Sequence, residues 1–199
     1  MEIDEAIEHL RENSQRGFKQ TFDLIVRLKN IDMNNEKVST EIKLPHDRGK
    51  EVKVGVLSND REDAYDEKEL EKIASDPKKA RKFVKKHDFF FADAPLMPKI
   101  GKLFGKFMAP RGKMPKPVPP GSDIGPLVDK AKKSVRLRAT QHPMIQVPVA
   151  TEDMDPEKVK ENVQTIFDDL LEALPKGRGQ VKDVTLKLTM SEPIKLEGF

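Results

Sequence analysis

Cysteine is absent from the chain. Disulfides and thiolate metal sites are therefore excluded, and a reducing cytoplasm is the expected setting. No stretch approaches the roughly 20 apolar residues of a membrane helix, so no membrane partner is expected. The opening Met1-Glu2-Ile3-Asp4-Glu5 is acidic and lacks the basic and apolar regions of a signal peptide. The histidines are His9, His46, His87 and His142, and no two stand in a metal-ligand spacing. Each reads as a surface or packing residue. No Gly-x-Ser-x-Gly elbow occurs. Carboxylates are plentiful but lie in helical charge runs, where solvation is the default. The expectation is a protein that is not an enzyme and uses no metal or cofactor.

What is abundant is sorted charge. Charged residues make up 36% of the 199 positions, yet the net charge is only +3. Acid dominates Met1 to Glu12, Asp60 to Glu71 and Glu152 to Glu172. Base dominates Lys78 to Lys86, Lys99 to Lys116 and Lys130 to Arg138. Such sorting offers a basic face to a polyanion. It equally describes ordinary solvated helix faces.

Proline is the other punctuation. Phe107 to Pro120 holds spaced prolines with Lys113 and Lys116 between them, and cannot form a helix or a central strand. Arg111-Gly112 reads as a turn with glycine at positive φ. The stretch is either a solvated stiff connector or a rigid basic loop presented to an anion, with Arg111 and Lys113 at its tip.

Periodicity orders the chain. Ile3, Ile7 and Leu10 predict a helix over 2–13. Phe22 to Leu28 and Val38 to Leu44 alternate as antiparallel strands, and Pro45 to Lys50 breaks the pattern. Val52, Val54 and Val56 form a short strand. Asp66 to Ala74 and Asp76 to Lys86 read as helices, the second with Asp76 as cap and Pro77 in its first turn. Phe89-Phe90-Phe91-Ala92 reads as a strand buried on both faces of a parallel sheet. Met97 to Phe107 and a segment around Ile124 to Ala131 read as helices. Val135 to Arg138 and Ile145 to Val149 are strands, with Pro148 marking an edge or a bulge. Asp155-Pro156-Glu157 starts a long helix that Pro175 and Gly177 end. Val184 to Leu188 is a last strand.

These elements predict two domains. Residues 1–49 and 134–199 make a split α+β outer domain, an antiparallel sheet with two helices. Residues 50–133 make an inserted α/β domain. The joint between them, at Arg48, Gly49 and Ser134, allows hinge motion.

Two ligand chemistries compete. Gly101 to Phe107 has a distant likeness to a phosphate loop, but it has one residue too few and Phe107 where Ser or Thr belongs. RNA binding has broader support. In Arg16-Gly17-Phe18-Lys19-Gln20-Thr21, an exposed Phe18 would stack on a splayed base. Lys19 would neutralise phosphate, and Gln20 and Thr21 would pair with a base edge or a 2′-hydroxyl. The alternative is that Phe18 closes the core over the first helix. Lys187-Leu188-Thr189-Met190-Ser191 has the same character, with Lys187 and Thr189 on the face opposite Leu186 and Leu188.

Four patches in this order carry a resemblance: Gly17-Phe18-Lys19-Gln20-Thr21, Leu44-Pro45-His46-Asp47-Arg48-Gly49-Lys50, Pro110-Arg111-Gly112-Lys113-Met114-Pro115-Lys116-Pro117-Val118-Pro119, and Lys187-Leu188-Thr189-Met190. The whole chain resembles the ribosomal protein L-one family, most closely its archaeal type. The resemblance implies a Rossmann-like, three-layer inserted domain and no catalysis. It implies a monomer when free that binds folded, non-duplex large-subunit rRNA at the mobile stalk beside the exit site. It further implies transient contact with departing exit-site tRNA and repression of translation through the protein's own mRNA. The implied main contacts are Phe18, Lys19, Gln20, Thr21, Lys187, Thr189 and Met190. Lys43, Lys50, Arg111, Lys113 and Ser191 are implied secondary contacts.

Three features depart from the family pattern. Ser191-Glu192-Pro193 stands where Gly-Pro is usual, so backbone approaches RNA less closely and Glu192 repels phosphate. Asp47 replaces a usual glycine in the linker. Ser58 to Tyr65 is too short for a helix and strand usual there. Either the inserted sheet has lost one unit or the helix at Asp66 is misplaced.

Overall fold

A computed structural model describes residues 1–13, 16–32, 38–61, 63–139 and 142–199. The fold mixes α and β, with six helices and three sheets among these residues. Backbone contacts divide it into two compact units, Met1–Lys50 with Lys133–Phe199, and Glu51–Lys132.

In the first unit, helix α1 (Ile3–Asn13) buries Ile3, Ala6, Ile7 and Leu10. Strand β1 (Thr21–Leu28) buries every second side chain: Phe22, Leu24, Val26 and Leu28. With β7 (Met144–Thr151), β8 (Val181–Leu188) and β9 (Ile194–Lys195) it forms an antiparallel sheet ordered β7-β1-β8-β9. Pro148 lies on edge strand β7, beside a register shift opposite Phe22 and Asp23. A residue that donates no ladder hydrogen bond sits there without loss. Helix α6 (Pro156–Ala173) starts as its residues dictate: Asp155 Oδ1 accepts from Glu157 N, and Pro156 fills the first turn. Its stripe of Val159, Val163, Ile166, Phe167 and Leu170 shares one core with α1 and the sheet.

The outer residues do not share a single sheet. Strands β2 (Val38–Lys43) and β6 (Ser134–Ala139) pair only with each other, as a separate antiparallel ribbon. Val38, Ile42, Val135 and Leu137 still enter the common core. Alternation specifies a half-buried strand but not its partner.

In the second unit, β3 (Val54–Leu57), β4 (Phe89–Asp93) and β5 (Lys116–Val118) form a parallel sheet ordered β3-β4-β5. Phe89 to Asp93 is buried throughout, and β4 is the central strand. Part of the proline-rich stretch is therefore a strand, tolerated at Pro117 because β5 is an edge. Helices α2 (Glu67–Ala74), α3 (Pro77–Lys86) and α4 (Met97–Met108) cover one face, where Leu70, Ala80, Phe83, Phe90, Ile100 and Phe104 cluster. Helix α5 (Gly125–Lys132) covers the other, with Phe89, Phe91, Val118, Ile124 and Ala131. Asp66 caps α2 by accepting from Glu69 N, so the helix assignment there holds. The described part of Ser58 to Tyr65 contains only an isolated bridge between Tyr65 and Leu57.

His87 is buried at the end of α3. Its Nδ1 donates to Phe83 O at 3.1 Å, leaving Nε2 facing the Tyr65 hydroxyl at 3.4 Å. Phe83 and Phe90 crowd the ring. Burial pushes the imidazole below its ordinary value, and Lys86 and Lys113 push the same way. A lowered folded value means that the unfolded chain takes up the proton first. Stability of this unit is fully present above about pH 6.5 and falls as the pH drops through the folded value. Urea titrations followed by Tyr65 fluorescence are expected to show this decline, and His87→Gln to flatten it.

Candidate nucleic-acid interface

Three connecting segments meet at one end of the four-stranded sheet. One enters β1 through Gly17 to Gln20, one leaves β8 through Thr189 to Ser191, and one leaves β7 through Glu152 to Met154. Gln20 joins them. Its side chain is fully buried, its Oε1 accepts from Met190 N at 3.0 Å, and its carbonyl accepts from Glu152 N at 3.0 Å. Thr189 completes the closure from the other terminus. Its Oγ1 accepts from Thr21 N at 3.2 Å and donates to Thr21 O at 3.4 Å.

On this frame stand two exposed apolar side chains. Phe18 is 51% exposed and Met190 59%. Phe18 does not close the core; Phe22, four residues further on in β1, does. Lys19 Nζ lies 2.6 Å from Asp153 Oδ2. The bond from Lys19, with a second from the Thr151 hydroxyl, holds the Asp153 carboxyl below its ordinary range. The end of the sheet thus combines a stacking surface, a flexible thioether, a cation and hydroxyls.

Lys187 extends the site onto the open sheet face. It lies opposite Asp23 in the ladder. Burial pushes the Asp23 carboxyl up, while Lys187, a hydrogen bond with Gln146, and Lys50 pull it back.

Several expected contacts have other employment. Gln20 offers no amide to a base edge, because that amide is the internal brace of the site. Ser191 closes a turn: its Oγ accepts from Leu188 N at 2.8 Å and its own N donates to Leu188 O at 3.1 Å. Lys113 is half-buried, and its Nζ donates to the Val84 and His87 carbonyls at 3.3 and 2.5 Å. It caps the C-terminal end of α3, where a cation satisfies unpaired carbonyls. Arg111 is exposed beside Gly112, which takes φ +63°. Lys43 is exposed on the β2–β6 ribbon.

At the expected joint, Gly49 has φ +70° and Arg48 is half-buried. Ser134 lies one residue inside the boundary of the first unit, which resumes at Lys133. It is buried and paired with Lys43 as the first residue of β6. Gly101 to Phe107 lies inside α4, where its backbone N–H groups serve the helix. It cannot cradle a phosphate, and the nucleotide reading falls.

Sequence reasoning missed Asp153 and Asp23. Asp153 lies in an acidic run that reads as solvated, and Asp23 reads as an exposed strand position; only the fold brings them to Lys19 and Lys187. Among the described residues, no three potential metal ligands cluster and no helix is long and apolar enough to cross a membrane.

Comparison with known families matches residues 10–192 to the Ribosomal protein L1p/L10e family. The chain is 40% identical to the large ribosomal subunit protein uL1 of Pyrococcus abyssi, covering 98% of this chain and 95% of that protein. It is 39% identical to the protein of the same name from Thermococcus kodakarensis, with 97% and 95% covered. For that of Methanocaldococcus jannaschii the identity is 38%, with 97% and 94% covered. Agreement of this extent along almost the whole length decides kinship, and the chain belongs to the ribosomal protein L1p/L10e family.

Proposed function

We propose that the chain is a structural component of the large ribosomal subunit that binds large-subunit rRNA through the Phe18–Met190 end of its four-stranded sheet. The observation that carries this is the bonding of Gln20 and Thr21 to Met190 and Thr189, which builds one exposed surface from two distant segments. Kinship with proteins named large ribosomal subunit protein uL1 supplies the partner, and with it a cytoplasmic, ribosomal location and no enzymatic role.

The mechanism follows from the side chains. Phe18 stacks on an unpaired base, which selects a folded, non-duplex target. Met190 packs beside it. Lys19, directed by Asp153, turns its remaining N–H donors to a phosphate. Thr21, Thr189 and Lys187 supply hydroxyls and charge along the strand ends, with Lys50, Lys43 and Arg111 as secondary cations.

In this reading the chain is a split outer domain with an inserted Rossmann-like domain, jointed near Arg48 and Gly49. It stands at the stalk, meets exit-site tRNA transiently, and is monomeric when free. A similar structure in its own mRNA would take the same surface and repress translation.

The test is Phe18→Ala, titrated against a stalk rRNA fragment. Loss of one base stack is expected to weaken binding by about 1–3 kcal/mol. Unchanged affinity, with an unchanged circular dichroism spectrum, removes this contact set.

A further inference from the structure

The three segments that build the sheet-end surface carry no excess of positive charge. Arg16 to Thr21, Thr151 to Asp155 and Lys187 to Glu192 together hold three cations against four acids, Glu152, Asp153, Asp155 and Glu192. Two of the cations already face carboxylates. Lys19 Nζ lies 2.6 Å from Asp153 Oδ2, and Lys187 stands opposite Asp23 in the ladder. A surface built only to attract phosphate would have the opposite balance.

Asp153 has the firmest seat of the four acids. It is exposed, yet Lys19 and the Thr151 hydroxyl both donate to it. These bonds hold its carboxyl below the ordinary range, so it is ionised at neutral pH. Thr151 is buried and pairs with Thr21 across the β1–β7 ladder, and Thr21 in turn is bonded to Thr189. The negative charge is therefore fixed in the same frame as the contact residues. Glu152 joins that frame through its N–H on Gln20 O, and Glu192 follows the turn closed by Ser191. A phosphate that meets Lys19 along its remaining N–H directions is attracted. One set down about 4 Å from the Asp153 carboxylate is disfavoured about fivefold even at the dielectric of water.

We infer that Asp153 is a specificity-determining residue of the sheet-end RNA site: its fixed charge rejects strands whose phosphates do not fall where Lys19 points. The inference rests on the sheet-end reading and states how that surface refuses the wrong RNA. Repulsion of competitors raises selectivity without any added contact to the right partner. A folded, non-duplex element presents a splayed base to Phe18 with its backbone held in one course. An unstructured strand reaches Phe18 only by bringing phosphates across the acids.

The test is fluorescence anisotropy of the full chain at about 0.1 M salt, with a stalk rRNA fragment and with labelled decauridylate. Asp153→Asn keeps an acceptor for Lys19 and removes the charge. Its affinity for decauridylate is expected to rise about fivefold, and its preference for the stalk fragment to fall at least about threefold. Asp153→Ala also removes the seat of Lys19, and is expected to gain for decauridylate while losing for the stalk fragment. A purely structural role predicts losses for both probes. Glu172→Gln makes the same charge change about 25 Å along α6, beyond the screening length of about 10 Å, and is expected to leave both affinities within about twofold. A gain for decauridylate as large in Glu172→Gln as in Asp153→Asn would mean that net charge alone acts, and would overturn the assignment. So would an unchanged or lowered decauridylate affinity in folded Asp153→Asn. Phe18→Ala tells the two readings apart. If it binds the stalk fragment as the parent does, the sheet-end reading falls and this one with it. If it loses affinity while Asp153→Asn keeps the parent's preference, the role of Asp153 alone falls.

Discussion

Replacing Asn162 with alanine is expected to cost the first unit about 3–4 kcal/mol, more than the loss of one buried methyl-bearing side chain of similar size. Asn162 lies in the middle of α6 and is fully buried, in a stripe otherwise made of Val159, Val163, Ile166 and Phe167. An amide there is poor company for those side chains. Its reason is the chain segment after β2. Asn162 Oδ1 accepts from His46 N at 3.1 Å, while Nδ2 donates to His46 O at 3.3 Å and to Val149 O at 3.1 Å. One side chain thus satisfies three backbone groups where the chain turns at Pro45, which can donate nothing itself. Each buried group left unpaired costs about 1–3 kcal/mol, and partial access of water at half-buried His46 holds the total to the lower range. Leucine at this position would keep the volume and still orphan all three groups. Aspartate would keep the bond from His46 N but set a carboxylate against two carbonyls. All three variants are therefore expected to be destabilised, with leucine no better than alanine by more than about 1 kcal/mol. The single tyrosine, Tyr65, belongs to the second unit, and there is no tryptophan. Urea unfolding followed by circular dichroism should shift to lower urea while the Tyr65 fluorescence transition stays in place. A cost below about 1 kcal/mol would show that water replaces the amide.

Much of the fold was readable from local chemistry. Asp76-Pro77 and Asp155-Pro156 announce helix starts because a carboxylate acceptor and a missing N–H are both wanted there. Phe89 to Phe91 announces a strand covered on both sides because no polar residue interrupts it. Pro148 announces an edge or a bulge, and it lies on an edge strand beside a register shift. What local chemistry leaves open is partnership. The β2–β6 ribbon and the main sheet have the same alternation, and only the three-dimensional register separates them. Strand β9 spans two residues and has no period to read.

The candidate site divides along the same line. Phe18, Lys19, Thr189 and Met190 were readable as residue types suited to RNA, and Phe18 and Met190 are exposed as that use requires. Gln20 was misread because an amide beside a strand looks the same whether it faces a base or braces a neighbouring turn. Lys113 was misread because a cation that caps a helix and one that meets a phosphate share one letter. In both cases burial decides, and burial is a property of the fold. The Lys19–Asp153 pair was invisible because its partners are far apart in the chain and neither belongs to a motif.

Gly49→Ala is expected to be the most informative single methyl in the chain, costing about 3 kcal/mol from two separable sources. The first is backbone conformation. Gly49 has φ +70°, where a side-chain-bearing residue pays roughly 1–2 kcal/mol. The second is space. A methyl built on Gly49 overlaps Thr151 Oγ1, and Thr151 is buried at the end of β7. Forcing that side chain aside adds about 1–3 kcal/mol. The sources separate in a double-mutant cycle, because Thr151→Ala removes the overlap and leaves the backbone strain. In that background Gly49→Ala is expected to cost only about 1–2 kcal/mol. Equal costs in both backgrounds would mean that the overlap is relieved for nothing and strain alone acts. The same methyl should also reach the RNA surface. The Thr151 hydroxyl donates to Asp153, and Asp153 holds Lys19. Displacing Thr151 releases that carboxylate from its seat and leaves Lys19 without a fixed direction. Gly49→Ala is therefore expected to weaken binding of the stalk fragment several-fold in conditions where the protein remains folded, with Phe18 untouched. Full affinity in the folded variant would mean that Lys19 finds its phosphate without help from Asp153.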